Sequence, residues 1–318
     1  MELETTGGVA VPTREDDSSM RKFGIVLTVL LLALVLVVML VSTGILPFSF
    51  SVFSRGSAST SINMPIRSSL QEETDHIAGI RPKLRAETPH GQIVVRGADV
   101  EQVQIHMKVE TKAATPLRAQ ELLRQVTLEI TTTDEENQLR VIKPNLRTNE
   151  SARADLTILV PSPTELDLQT GLGQVEVNRI QGPIRVLDQL GAIKVQDFKG
   201  DAYLETSLGN IEISAALFEQ ELTAISHLGD LIIEASLAKR NVLESSLGDL
   251  TLLLLPTESY VLEGKLSLGR FTIMVPFKGE QGRERIHGII GEGEQRGSIF
   301  VDLSLGSLEV KNQTNRRD

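Results

Sequence analysis

Five aspartates are the residues of this 318-residue chain whose types and spacing could do chemistry: Asp188, Asp197, Asp201, Asp230 and Asp249. Asp230 and Asp249 follow a glycine at matching phase, and Asn210 precedes them in the same position. Carboxylates repeated on one face could act as acid and base on a glycosidic bond, or ligate calcium. A carbohydrate-active enzyme built on stacked strands is therefore one reading. The other is that Asp and Asn after a corner glycine satisfy local backbone groups. No basic partner recurs at a consistent offset, which favours the structural role and a chain that is not an enzyme.

Other chemistries find little support. The histidines (His76, His90, His106, His227 and His287) share no metal-ligand spacing, and there is no Walker loop, nucleophile elbow or HExxH. The chain has no cysteine, which removes disulfides, thiolate metal sites and thiol nucleophiles. A net charge of -10, 3% aromatics and no Trp argue against nucleic acid as a partner. No catalytic, cofactor-binding or metal residue is assigned, and no cofactor is expected.

The element that would position the aspartates is a phrase written many times. It reads ETSLGNIEIS at 205–214, ESSLGDLTL at 244–252 and DLSLGSLEV at 302–310. Its Leu-Gly pairs are Leu172-Gly173, Leu190-Gly191, Leu208-Gly209, Leu228-Gly229, Leu247-Gly248, Leu268-Gly269 and Leu305-Gly306. The glycines are 18, 18, 20, 19, 21 and 37 residues apart, the last gap fitting two periods with one degraded copy. Apolar residues sit two and four positions after each Gly, and five before it except at Gly264. The third position before Gly reads Thr170, Asp188, Thr206, Ser226 and Ser245, a stack that would line one corner.

Two period-2 stretches inside a period near 20 predict an all-β fold: a β-solenoid with rungs of 18–21 residues over 161–312. In that reading the Leu of each pair fills a core layer, so Leu208→Asp would unfold neighbouring rungs. The Gly permits a corner or a close approach. A twisted antiparallel sandwich is the competing fold. Upstream, a β-rich leading segment spans 81–160, with one short helix near 116–126 capped by Thr115. The insertion at 278–297 is either a degraded rung or a loop, and 313–318 reads as a frayed end.

Residues 24–46 carry no charge over 23 positions, enough at about 1.5 Å per residue to span a ~30 Å hydrocarbon core. Arg21 and Lys22 abut this segment, whereas the first basic residue beyond it is Arg55. The positive-inside rule then predicts a single-pass anchor in the cell membrane with 1–23 cytoplasmic and the rest extracytoplasmic. Residues 47–80, rich in Ser and Thr, read as a stalk.

The pieces LTILVPSPTELDLQTGLGQVEV (156–177), FKGDAYLETSLGNIEI (198–213) and SSLGDLTLLLLP (245–256) resemble the adhesin-like family of bacterial β-strand-repeat envelope proteins. That family repeats Gly-Asp/Asn-Ile-x-Val at this period, and the likeness spans roughly 80–312. The chain departs from it where Gln174, Ala192, Arg270 and Ser307 replace the Asp or Asn after Gly. The resemblance implies a non-enzymatic binding or scaffolding module of the cell envelope, facing cell-wall polymer or glycan. The short cytoplasmic tail motivates an alternative, an accessory of an envelope-stress sensing system that meets a membrane-protein partner.

Overall fold

A computed structural model of the chain describes residues 68–313. Arg21, Lys22, the apolar stretch 24–46 and the last five residues lie outside them. Among the described residues no helix is long and apolar enough to cross a membrane.

The described residues form 21 strands and one helix. In chain order the first are β1 (Ser68–Ala78), β2 (Lys83–Thr88), β3 (Ile93–Ala98), β4 (Val103–Ala113), helix α1 (Pro116–Gln125), β5 (Thr127–Thr132), β6 (Glu136–Ile142) and β7 (Ser151–Pro161). The repeats follow as β8 (Glu165–Leu172), β9 (Val175–Asn178), β10 (Ile184–Leu190), β11 (Ile193–Leu208), β12 (Ile211–Leu228), β13 (Leu231–Ser236), β14 (Arg240–Leu247) and β15 (Leu250–Leu254). The chain then runs through β16 (Glu258–Leu268), β17 (Phe271–Ile273), β18 (Phe277–Gln281), β19 (Arg285–Gly291), β20 (Glu294–Leu305) and β21 (Leu308–Asn312).

Each repeat gives one strand to each of two parallel ladders, and its Leu-Gly pair is the corner between them. Before the corner, β6, β2, β8, β10, the second half of β11, the second half of β12, β14, β20 and β16 pair in that order. After the corner the order is β7, β3, β9, the first half of β11, the first half of β12, β13, β15, β21 and β17. Like positions of successive repeats are aligned, so Leu168, Val186, Leu204, Ala224, Leu243 and Val301 form one buried column. Val175, Ile193, Ile211, Leu231, Leu250, Leu308 and Phe271 form another. Period-2 alternation turns these aliphatics inward, and stacking at about 4.8 Å builds their core.

The glycines make that spacing possible. A Cβ on Gly209 would overlap the Gly191 carbonyl, one on Gly229 the Gly209 carbonyl, and so on from Gly91 to Gly269. Gly209 and Gly229 also hold φ of 158° and 148°, a region that favours glycine. The Gly N–H donates to the carbonyl of the next layer's Leu, for example Gly191 to Leu208 at 2.9 Å and Gly209 to Leu228 at 2.8 Å. Backbone therefore packs on backbone throughout the corner column.

Several expectations need correction. The Leu of the pair is not in the core: Leu172, Leu190, Leu208, Leu228 and Leu305 are half-buried, whereas Leu247 and Leu268 are 38% and 60% exposed. It falls at the turn itself, where the alternation slips. The core position before the corner is instead the third before Gly, filled by Thr170, Asp188, Thr206, Ser226 and Ser245. The 37-residue gap holds no degraded copy. Strands β18 and β19 form an antiparallel hairpin laid on β16, and the final repeat, β20–β21, returns to lie between β14–β15 and β16–β17. The hairpin also explains Gly264, since a Cβ there would meet the Ile286 side chain at 2.6 Å.

The leading segment is not separate from the ladders either. Strands β2 and β3 form a full layer around Gly91, inserted between β6–β7 and β8–β9. Residues 68–78, within the stretch read as stalk, are strand β1, paired antiparallel with β4 over 11 residues. Backbone pairing there overrides a composition poor in apolar residues. Helix α1 lies where the sequence places it, with the Thr115 hydroxyl accepting from the Arg118 N–H at 3.3 Å.

Leu204→Asp is expected to cost several kcal/mol by burying a charge, and Gly209→Ala about 3 kcal/mol or more by overlap at the corner. Leu208→Asp should cost about 1 kcal/mol, because that side chain has access to water. Urea unfolding of the three variants checks this order.

Candidate functional site

Of the five aspartates, Asp230 and Asp249 come together with Asn210 on the corner between the ladders, each one residue after its glycine. The two aspartates are exposed and Asn210 is half-buried, and one oxygen of each of the three side chains accepts from backbone. Asn210 Oδ1 accepts from the Asp230 N–H at 2.9 Å, Asp230 Oδ1 from the Asp249 N–H at 2.8 Å, and Asp249 Oδ1 from the Ser307 N–H at 2.7 Å. Each acid thus ties its own layer to the next. Asp155 does the same for Gln92 at 2.7 Å, a member that sequence reasoning missed because no glycine precedes it. The bonds run between layers rather than within one turn.

Asp201 and Asp197 stand elsewhere. Asp201 Oδ1 accepts from the Gln220 and Glu221 N–H groups at 2.8 and 3.2 Å, across the irregular pairing of β11 and β12. Asp197 has φ 51°, matched by Arg179 at 56° and Ala215 at 51°, so it marks a second, left-handed turn of the repeat. The carboxylates of Asp201, Asp230 and Asp249 hold loops and layers, and the structure does not gather the four aspartates into one pocket.

Asp188 differs from the others. It is 3% exposed and occupies the column of small hydroxyl residues just before the corner. Its neighbours in that column donate to glycine carbonyls one layer away: Thr170 to Gly91 at 3.1 Å, Thr206 to Gly191 at 3.1 Å, Ser226 to Gly209 at 3.0 Å and Ser245 to Gly229 at 3.3 Å. Thr88 donates likewise to the Ala154 carbonyl at 3.3 Å. Asp188 Oδ1 accepts from the Leu190 N–H at 3.1 Å, but the buried Oδ2 has no hydrogen-bond partner. Burial pushes the carboxyl up to about 7, and the N–H groups of Leu190 and Gln189 only partly oppose it.

Asp188 also lines one of two clefts of similar size, about 470 Å³, on the outer side of the ladder before the corner. Gly171 opens its floor beside Leu187, and Glu87, Lys143, Gln169 and Glu205 supply polar walls. The second cleft, about 480 Å³, lies over β1, β4 and β7 and includes His76 and His106. His106 Nδ1 is 2.8 Å from Asp75 Oδ1. Among the described residues no group of three or more His, Asp or Glu is placed to hold a metal ion.

Sequence reasoning also missed a buried cluster at the last hairpin. Glu258 accepts from Ser236 at 2.6 Å, Tyr260 at 2.7 Å and Arg296 at 2.8 Å, all side-chain donors, which clamps β20 to the chain around β13 and β16. Burial and the Glu258 carboxylate raise the Tyr260 phenol above its ordinary value. Its residues carry no repeat phase, so only the fold brings them together.

Two parallel ladders joined at a glycine corner, with side chains spent on fastening layers, define a repeat protein of stacked β-layers. A family model described as Toastrack DUF4097 matches residues 83–301, more than half of the chain, and the chain belongs to that family. No curated protein matches it. Among solved structures it is similar to a candidate cell adhesion protein from Clostridium sporogenes, 12% identical, at a TM-score of 0.32, covering 76% of this chain and 100% of that one. It is also similar to candidate adhesins from Bacteroides fragilis and Parabacteroides merdae, both at a TM-score of 0.37. The first is 13% identical and covers 76% of this chain and 97% of that one. The second is 9% identical and covers 77% and 96%. Likeness of this degree carries no conclusion about activity.

Replacing both Asp230 and Asp249 by Ala should lower stability by about 1 kcal/mol per lost hydrogen bond. The double Asn variant, which keeps the acceptor oxygens, should lose less than half of that. Chemical denaturation of both variants beside the parent measures the difference.

Proposed function

We propose that this chain is a membrane-anchored, extracytoplasmic binding or scaffolding module of the bacterial cell envelope, without enzymatic activity of its own. Its two ladders are read as the walls of a β-solenoid, with one repeat per rung. The apolar stretch 24–46 is its tether, and the basic pair Arg21 and Lys22 keeps the N-terminus in the cytoplasm.

The observation that carries this reading is the outer surface of the ladders. Outward positions of successive layers repeat at a fixed spacing, and charges of opposite sign meet across them. Lys194 lies 3.1 Å from Glu212, Arg240 2.8 Å from Glu221 and Lys199 3.6 Å from Glu219. Such exposed pairs add little stability, but they keep a long regular face hydrated and polar. An extended polymer, whose own groups repeat, can meet such a face at several layers at once, so weak contacts add through multivalency. The family match agrees with a repeat scaffold of this kind without fixing a ligand.

Cross-linking the full-length chain in living cells, followed by purification through a C-terminal tag, tests the reading. Wall polymer or surface glycan recovered in repeated preparations is the expected outcome. A recurrent membrane protein with no polymer would replace this reading with that of an accessory to envelope sensing. Recovery of the chain alone would overturn both.

A further inference from the structure

We infer that Asp188 is a proton-dependent joint of the stack: held as the neutral acid, it donates to the Gly173 carbonyl as the hydroxyls of its column donate to theirs, and its ionisation loosens the layer that floors the cleft it lines. This stands apart from whatever the chain binds.

Geometry carries the inference. Six successive layers place Thr88, Thr170, Asp188, Thr206, Ser226 and Ser245 at one position, and the five hydroxyls all donate to the corner carbonyl one layer away. By the same register Asp188 faces Gly173. A Cβ built on Gly191 would meet Asp188 Oδ2 at 2.5 Å and would overlap the Gly173 carbonyl, so the two oxygens converge on one point. Two buried acceptors facing each other repel unless one carries a proton. The unpartnered Oδ2 is the oxygen that would carry it.

The surroundings offer the ionised form little. Strands β8 and β11 set Thr170 and Thr206 opposite Asp188, and neither titrates. Around the cleft, Glu87 of β2 is paired with Arg140 at 3.3 Å, and Glu205 of β11 accepts from Tyr203 at 2.7 Å. Lys143 is the cation among the residues lining the cleft. On β10 itself, Arg185 is committed to Asp167 of β8 at 3.5 Å. Burial accordingly raises the acid's folded value far above the 3.8 of a free aspartate. A raised acid favours the folded state fully below the unfolded value near 4. That contribution is withdrawn as pH climbs toward the folded value near neutrality.

The test follows thermal melting of the full-length chain in neutral detergent from pH 5 to pH 9, for the parent and for Asp188→Asn, whose amide donates without titrating. The parent's Tm should fall by about 5 °C relative to the variant between pH 5.5 and pH 8.5. Parallel curves would overturn the inference. Should the Asn variant fail to fold, Asp188→Thr, which restores the column's usual residue, takes its place. The carboxyl carbon resonance of Asp188 in the parent gives a second readout. A midpoint near neutrality supports the joint, and one near pH 4 overturns it.

Discussion

At every corner one carbonyl lies directly against one glycine of the next layer. Each corner glycine, from Gly91 to Gly269, sits where a Cβ would overlap the backbone of the adjoining layer. That contact sets the separation of layers at the turn, and the two ladders inherit their register from it. Aliphatic columns then align without further instruction, because the side-chain period of a strand is two and the corner fixes its phase. Every fastening in the stack uses the same register. The Asn210, Asp230 and Asp249 side chains reach the next layer's N–H, and the hydroxyls from Thr88 to Ser245 reach carbonyls one layer away.

This explains why polar residues can fill positions that face the core. A threonine or serine in the column before the corner is buried, yet its hydroxyl has a fixed acceptor within reach. The bond offsets the cost of removing a hydroxyl from water. A carboxylate in that column meets an acceptor where it needs a donor. Asp188 is the place where the repeat's logic and the residue's chemistry disagree.

Much of this was legible in the sequence. The inward positions two and four after each glycine, buried except for the half-buried Ile273, and five before it, followed from period-2 alternation around a recurrent Leu-Gly. The role of the leucine did not, because a corner interrupts the alternation and composition alone cannot show on which side of it a residue falls. Gly91 reads as the start of a strand and not as one of the repeats, since His90 stands where Leu stands elsewhere, although Ile93 and Val95 follow it at the repeat's offsets. Asp155 and the Glu258 cluster depend on chain returning from far away, and local pattern holds no trace of it. The order of layers was hidden for the same reason. Spacing along the chain suggests that layers follow one another as written, and at both ends they do not.

The displaced end layers limit what the stack can become. The outermost parallel layers, β6–β7 and β16–β17, come from the interior of the described chain. The first and last repeats sit one step inside them, and antiparallel strands β5, β4 and β19 lie across their outer sides. A simple coil can grow by appending one more turn, or by joining its end to the end of another copy. Here a new turn would find its place along β6, β7 and β16 already taken, so the stack cannot grow by simply repeating the coil. Synthesis is constrained as well: β14–β15 meets its lasting neighbour only once the final repeat has been made, and the stack closes last in its own interior.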